Sequence, residues 1–383
     1  MSKLEVILKV AERCNINCTY CYVFNGQDDS YKYHSKKIKK DTILALSAYL
    51  KQAVIKYSLK EIQIDFHGGE PLIVGKTKFA EYCSILKTSI TPICKLTFCL
   101  QTNAILIDEN WIQIFEDYNV KVSTSLDGPQ EINDLGRIDF RGHGTYNKTL
   151  KGLKLLQAAY NGGRLSSVGV ICVINPTFSA LKIYNHFVHE LNLDLVEFLL
   201  PDDTHDTFNQ REHGNYGTYL SELFNSWVND DSPKLQIRIL NSAISLLLGG
   251  KSFVVGFGDD IGNAITISSD GDVGPDDILR STGTDIMRTG LNVFNSSYSE
   301  YLGFYKEEIV QKINENINQE CMDCCWLKTC GATHPVHRFK ANNGFSNKSI
   351  YCADMKIYFT NATKYLLSNG LPFETLKENL AIM

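Results

Sequence analysis

Up to Pro201 the chain alternates between two hydrophobic rhythms. Short stretches with alternating or unbroken apolar positions read as strands at 6–10, 61–66, 95–100, 121–125, 168–174 and 195–200. Between several of them run segments with helical spacing. In 42–59, Ile43, Leu44, Leu46, Leu50, Val54 and Ile55 recur at helical spacing; 111–118, 146–160 and 181–191 read as helices likewise. This alternation implies an α/β fold of β-α units on a parallel sheet. Ligands of such sheets gather at the carboxyl ends of the strands. Cys14, Gly68, Gln101, Ser125 and Pro201 each follow such an end, so one site can collect them.

Beyond Pro201 the pattern changes. A polar loop, 202–206, leads into helical stretches at 216–230 and 234–248. A glycine-rich break follows, then a hairpin over 264–275 that turns at Ser-Asp-Gly. The expected organisation is a catalytic domain over 1–230, a connecting helical region over 231–262, and a smaller domain over 263–383 ending in helices.

Composition narrows the classes. The chain has 383 residues, of which 44% are hydrophobic, enough for a full core. A net charge of -5 provides no basic footprint for nucleic acid. No apolar run reaches membrane-spanning length, and the N-terminus opens almost directly on a strand rather than a signal peptide. The 12 cysteines fall into two groups plus scattered singles. In a reducing compartment such groups point to metal ligation rather than disulfides, so a soluble cytoplasmic protein is expected.

The first group is Cys14, Cys18 and Cys21, a C-x3-C-x2-C run. Three thiolates can hold three irons of a four-iron, four-sulfur cluster and leave the fourth iron for a small molecule. A zinc site short of one ligand, or a chance run of buried cysteines, would read the same way. The strand at 61–66 runs into His67-Gly-Gly-Glu-Pro71, where paired glycines let a ligand approach the backbone and Glu70 offers acceptors for an ammonium group. An ordinary strand-to-helix turn would look similar. The second group, Cys321, Cys324 and Cys330 with Cys352, can hold zinc or an iron–sulfur cluster. Cys325 reads as a non-ligand, and Cys83, Cys94, Cys99 and Cys172 as small buried hydrophobes.

The stretch Arg13-Cys-Asn-Ile-Asn-Cys-Thr-Tyr-Cys-Tyr22, with Tyr20 just before the last cysteine, resembles the signature of the radical S-adenosylmethionine (radical SAM) superfamily. The resemblance implies a partial (β/α)6 barrel with its cysteines after the first strand. It implies that the methionine part of the cofactor chelates the open iron, and that reductive cleavage yields a deoxyadenosyl radical. Gly68, Gly69 and Glu70 match the family motif that holds the cofactor's amino group. Ser125 and Arg137, within Ser-Leu-Asp-Gly-Pro and Asn133-Asp-Leu-Gly-Arg137, match its carboxylate-binding pair; an arginine fork suits a carboxylate, although a surface salt bridge is the other reading. Gln101 and Asn103 are further cofactor-binding candidates.

The second cysteine group resembles the SPASM extension of radical SAM enzymes that modify peptides. The pattern departs in two places. His334 stands where a cysteine is needed four residues after Cys330, and no cysteine lies between Cys172 and Cys321. One auxiliary 4Fe–4S cluster, on Cys321, Cys324, Cys330 and Cys352, is therefore expected. His334 and His337 read as structural, as a ligand, or as contacts to substrate.

The phrases Leu199-Leu-Pro-Asp-Asp-Thr-His-Asp206, Cys330-Gly-Ala with His337-Arg-Phe339, and Asn343-Gly-Phe-Ser-Asn-Lys-Ser-Ile-Tyr-Cys-Ala-Asp354 resemble maturases that form three-residue cyclophanes in ribosomal peptides. That resemblance implies a crosslink between an aromatic residue and the Cβ of a residue two positions later. Asp277 at the hairpin exit would be general base, or else only a turn cap. The implied partners are a precursor peptide and an electron donor such as flavodoxin or ferredoxin. Formylglycine or thioether formation is the alternative chemistry, and a zinc-stabilised peptide-binding protein the alternative class.

Overall fold

The computed structural model describes residues 2–258, 264–283, 285–314 and 317–380. In chain order the elements are β1 (Lys3–Ala11), α1 (Lys40–Tyr57), β2 (Glu61–Gly68), α2 (Lys76–Ile90), β3 (Lys95–Thr102), α3 (Glu109–Tyr118), β4 (Val120–Ser125), α4 (Gln130–Gly136), α5 (Tyr146–Asn161), β5 (Val168–Val173), α6 (Ala180–Asn185), β6 (Leu195–Leu199), α7 (Asn215–Asp230), β7 (Gln236–Ile237) and α8 (Arg238–Leu247). They continue with β8 (Ile265–Ile267), β9 (Val273–Gly274), α9 (Tyr298–Phe304), α10 (Gln311–Asn314), α11 (Gln319–Met322), α12 (Leu327–Cys330), α13 (Cys352–Ser368) and α14 (Phe373–Leu380).

The six expected strands are β1 to β6. The helix expected over 181–191 is α6 with a π-helical turn, His186–Glu190, and the one expected over 234–248 gives its start to β7. Helix α2 is not among the expected helices, yet its buried Phe79, Tyr82, Cys83, Leu86 and Ile90 carry the helical spacing.

The chain forms two compact units. The first comprises residues 1–126, 130–169 and 263–310. In it β1, β2, β3 and β4 lie side by side and parallel. The hairpin β8–β9, expected in a smaller C-terminal domain, instead joins this sheet: β8 pairs parallel with β1, Val6 to Leu8 opposite Ile265 to Ile267, and β9 pairs antiparallel with β8. The physical reason is the second edge of β1, whose buried N–H and C=O groups need partners. An aromatic cluster of Phe66, Phe79, Phe98, Trp111 and Phe115 fills the space between β2, β3, α2 and α3. On α1, the rings of Tyr49 and Tyr57 meet Tyr298 of α9 edge-on at 6.2 and 5.5 Å.

The second unit comprises residues 127–129, 170–262 and 311–383. It holds β5 from Val170 onward, with β6 and β7 parallel to it. Here α7 and α13 touch at Gly217: its N–H donates to Asp354 Oδ1 at 2.8 Å, and a Cβ there would stand 2.4 Å from the Asp354 carbonyl oxygen. No described helix is long and apolar enough to cross a membrane.

Candidate active site

The site in the first unit is built on the loop that leaves β1. Backbone bonds pin this loop from the far side: Asn17 N–H donates to Ile138 O at 2.7 Å and Thr19 N–H to Gly136 O at 2.9 Å. Asn25 Nδ2 donates to Cys18 O at 2.7 Å. Cys14, Cys18 and Cys21 are all half-buried. Burial pushes the Cys14 thiol up to about 12, and Glu70, Cys18 and Cys21 add to the rise, which makes the three sulfurs electrostatic neighbours. Such thiols ionise when a metal displaces the proton, so the donor set fits an iron–sulfur cluster.

The glycine pair at the end of β2 works through the backbone. Gly68 has φ +143°, and a Cβ on it would sit 2.1 Å from Ala11 O; a Cβ on Gly69 would sit 2.3 Å from Arg13 O and 2.7 Å from the Phe24 ring. Their hydrogens let the β2 exit press onto the start of the cysteine loop, where Gly69 N–H donates to Ala11 O and Glu70 N–H to Arg13 O. The Glu70 carboxylate serves the chain itself. It accepts from Leu72 N at 3.0 Å, Thr102 Oγ1 at 2.7 Å and Asn103 N at 2.8 Å. Burial pushes its pKa up to about 7 against those three donors. Glu70 therefore locks the β2 exit to the β3 exit.

At the β3 exit Asn103 Nδ2 donates to Asn15 Oδ1 at 2.7 Å and lies 3.9 Å from Cys14 Sγ. Gln101 Nε2 lies 3.4 Å from Ser125 Oγ at the end of β4. Arg137 is buried, not a surface residue, and its Nη1 donates to the Tyr20 hydroxyl at 2.9 Å. The Arg137 carbonyl is held by Thr145 through both N–H and Oγ1. Glu70, Asn103 and Arg137 thus converge from three sides on the cysteine loop, which itself carries Tyr20.

Asp277 is buried, and its neighbours escaped the sequence reading. Lys9, within the apolar run from Val6 to Ala11 of β1, is 0% exposed and forms an ion pair with Asp277 Oδ2. Tyr22 donates its hydroxyl proton to the same oxygen at 2.7 Å, and Arg280 binds Oδ1 at 2.7 to 2.8 Å. Lys9 also donates to His67 Nδ1 at 2.9 Å. Burial alone would raise the Asp277 pKa, but Arg280 and Lys9 outweigh it and hold the carboxylate well below its usual range. His67 is pushed down to about 3 by burial and by Lys9, so it is neutral. The turn is capped by Asp276, whose side chain accepts from Ile278 N at 3.1 Å, so turn capping does not account for Asp277. One signal was available: a lysine that breaks the apolar run of a central strand.

A model of the radical SAM superfamily matches residues 8–180. An uncharacterized protein from Methanocaldococcus jannaschii is 34% identical over 270 residues, covering 67% of this chain and 82% of its own. The chain belongs to the radical SAM superfamily. Its cofactors are accordingly S-adenosylmethionine and an iron–sulfur cluster. A cysteine-type anaerobic sulfatase-maturating enzyme from Clostridium novyi (strain NT) is 26% identical over 383 residues, 94% of this chain and 95% of that protein. A solved structure of native anSMEcpe with bound AdoMet and Cp18Cys peptide shares the fold, with TM-score 0.81 and 22% identity over 96% of this chain and 98% of that one.

The second cysteine group of this radical SAM protein lies in the second unit. Cys330 is pushed up to about 12 by burial, with further upward pushes from Cys352, Cys321 and Cys324. Cys321 is raised by burial and by Cys352 and Cys324. The four sulfurs are thus electrostatic neighbours, while Cys325 is exposed. Among the described residues no three His, Cys, Asp or Glu side chains converge as ligands of a single metal ion. A four-iron cluster attaches each thiolate to a different iron and needs no such convergence. His334 caps the 3-10 turn Pro335–Arg338 by accepting from Val336 N at 3.3 Å, and His337 packs edge-on against Tyr351.

Proposed function

We propose that this protein is a peptide maturase that joins an aromatic ring to the Cβ of a nearby residue in a ribosomally made precursor, forming a cyclophane. In this reading Cys14, Cys18 and Cys21 hold the catalytic cluster, and Cys321, Cys324, Cys330 and Cys352 hold one auxiliary 4Fe–4S cluster. Tyr20, Gly68, Gly69, Glu70, Gln101, Asn103, Ser125 and Arg137 form the S-adenosylmethionine site. Arg137 supplies the fork for the methionine carboxylate, while Glu70 and the two glycines set the backbone around the amino group.

When bound, the cluster and S-adenosylmethionine supply a deoxyadenosyl radical that takes one hydrogen atom from the peptide Cβ. The carbon radical adds to the aromatic ring; the ring then gives up one electron and one proton. The peptide loses two hydrogens in total. An external carrier such as flavodoxin or ferredoxin supplies the starting electron and takes back the one released.

The observation that carries this reading is the state of Asp277. Its two cations keep it ionised but make it a weak base. A ring that has been attacked and oxidised is a strong acid, so a weak base suffices to restore aromaticity. Drawing a proton from a side-chain thiol or hydroxyl asks for a stronger base. The absence of any cysteine between Cys172 and Cys321 supports the same choice.

Formylglycine formation is the second reading, favoured by the similarity to a sulfatase-maturating enzyme over 94% of the chain. Anaerobically reconstituted protein should be incubated with peptides carrying an aromatic residue two positions ahead of a residue with a Cβ–H bond. Mass spectrometry is expected to show loss of two hydrogens per ring with no carbonyl. A product that reacts with an aldehyde-trapping hydrazide would overturn the cyclophane in favour of formylglycine. Zinc in place of iron would overturn both.

A further inference from the structure

Arg338 stands at the end of the 3-10 turn Pro335–Arg338, in the second unit, and is only 2% exposed. Among the described residues its Nε and Nη1 atoms have no hydrogen-bond partner, and no carboxylate forms an ion pair with it. A buried cation without an acceptor or a counter-charge is strongly unfavourable. Arginine cannot escape the cost by losing its proton, because guanidinium stays charged in proteins. Something must therefore supply negative charge at this place in the working protein.

The surroundings identify it. The ionisable side chains whose charge acts on the guanidinium are Cys321 and Cys330, thiols that burial holds protonated until a metal displaces the proton, and Arg338 acts reciprocally on Cys321. Its backbone is tied down separately, since Asn347 Nδ2 donates to the Arg338 carbonyl at 2.8 Å. The buried side chain thus lies within electrostatic reach of two cysteines from different parts of the four-thiol group. Four thiolates around a 4Fe–4S core carry a net negative charge, and the unpartnered N–H groups are donors to sulfur.

We propose that Arg338 is the built-in counter-cation of the auxiliary cluster, donating hydrogen bonds to its sulfurs and setting its reduction potential. This inference rests on the auxiliary-cluster reading given above. One-electron reduction adds a negative charge to an assembly that is already anionic. A fixed cation beside it stabilises the reduced state more than the oxidised one. Net charge and hydrogen bonds to sulfur are the means by which proteins tune such clusters.

The test uses the full chain with Cys14, Cys18 and Cys21 replaced by alanine, reconstituted anaerobically, so that the remaining cluster is read by itself. Arg338→Met keeps the length and apolar stem of the side chain but removes its charge; Arg338→Lys keeps the charge. Iron content and the midpoint potential, from a redox titration followed by electron paramagnetic resonance, are compared. The Met variant is expected to be on the order of tenfold harder to reduce, about 59 mV for one electron, with the Lys variant closer to the parent. Loss of iron from the Met variant that the Lys variant restores would equally support a counter-cation. A Met variant with the parental potential and iron content would overturn the inference. So would equal losses in the Met and Lys variants, which would assign Arg338 to packing. A parent protein that binds zinc or no metal would show instead that the auxiliary-cluster reading had failed, and this inference with it.

Discussion

At the residue scale one buried carboxylate is held between two cations. Asp277 meets Lys9, Arg280 and the Tyr22 hydroxyl, and every partner is itself buried or partly buried. Replacing Asp277 by asparagine removes the basic oxygen and leaves the buried Lys9 without its ion-pair partner, while Arg280 keeps Asp28 at 2.7 Å; breaking a buried pair costs on the order of 3–5 kcal/mol. The Asp277→Asn variant should therefore melt lower, and the Lys9→Met/Asp277→Asn double variant should recover part of that loss. In both, deoxyadenosine should still form in the presence of peptide while crosslinked product falls about a hundredfold or more. Mass spectrometry of the product-to-deoxyadenosine ratio checks this; an unchanged ratio assigns the proton to another acceptor. Arg137 and Glu70 should separate in a second experiment. Arg137→Ala should weaken S-adenosylmethionine binding by about 1.5–3 kcal/mol in a calorimetric titration. Glu70→Ala should also lower thermal stability, because the N–H groups of Leu72 and Asn103 lose a buried acceptor at about 1–3 kcal/mol.

At the scale of elements, the cysteine loop is held between the β2 exit and the hairpin loop. Ala in place of Gly69 would drive a Cβ to 2.3 Å from Arg13 O, backbone against backbone. The loop must then shift, so Gly69→Ala should lower iron retention at Cys14, Cys18 and Cys21 while leaving the metal content of the second cysteine group unchanged. Differential iron analysis in the presence and absence of Cys321→Ala checks that outcome. On the other side, the β8–β9 loop is fastened to the segment after the cysteine loop. Ser269 Oγ donates to Ser35 O at 2.6 Å, Ser35 N–H donates to Asp270 at 2.7 Å, and His34 sits between Glu12 at 3.4 Å and Asp272 at 3.5 Å. The carboxylates of Asp272 and Glu12 push the His34 pKa up to about 9. A raised histidine pKa means the folded state binds the proton more tightly than the unfolded state. The stabilisation is complete below about pH 6.5, the ordinary histidine value, and is lost as pH rises through about 9. The melting temperature should fall across that window, and His34→Gln should flatten the fall. An equal slope in both proteins would show that the clasp does not titrate.

At the scale of the whole molecule, the two cysteine groups belong to different compact units. Replacing Cys14, Cys18 and Cys21 together should abolish deoxyadenosine formation under dithionite while leaving about four irons per chain on the second group. Retained S-adenosylmethionine cleavage would refute the role of the first group. What the sequence by itself determined was what depends on local pattern: the six strands to β6, the C-x3-C-x2-C loop after β1, the Gly-Gly-Glu turn, the hairpin and the second cysteine group. Periodicity, thiol spacing and turn chemistry are local, and they are legible without a fold. The tertiary structure decided what depends on long-range pairing. It laid β8 on the open edge of β1, because a buried edge must find partners. It brought Arg137 to Tyr20 across 117 residues, and Asp277 to Lys9 across 268. It turned Glu70 inward onto three donors of its own chain. Lys9 shows the limit most plainly: its position in β1 marks it as odd, but only the arrival of Asp277 from the hairpin explains why a lysine can be buried there.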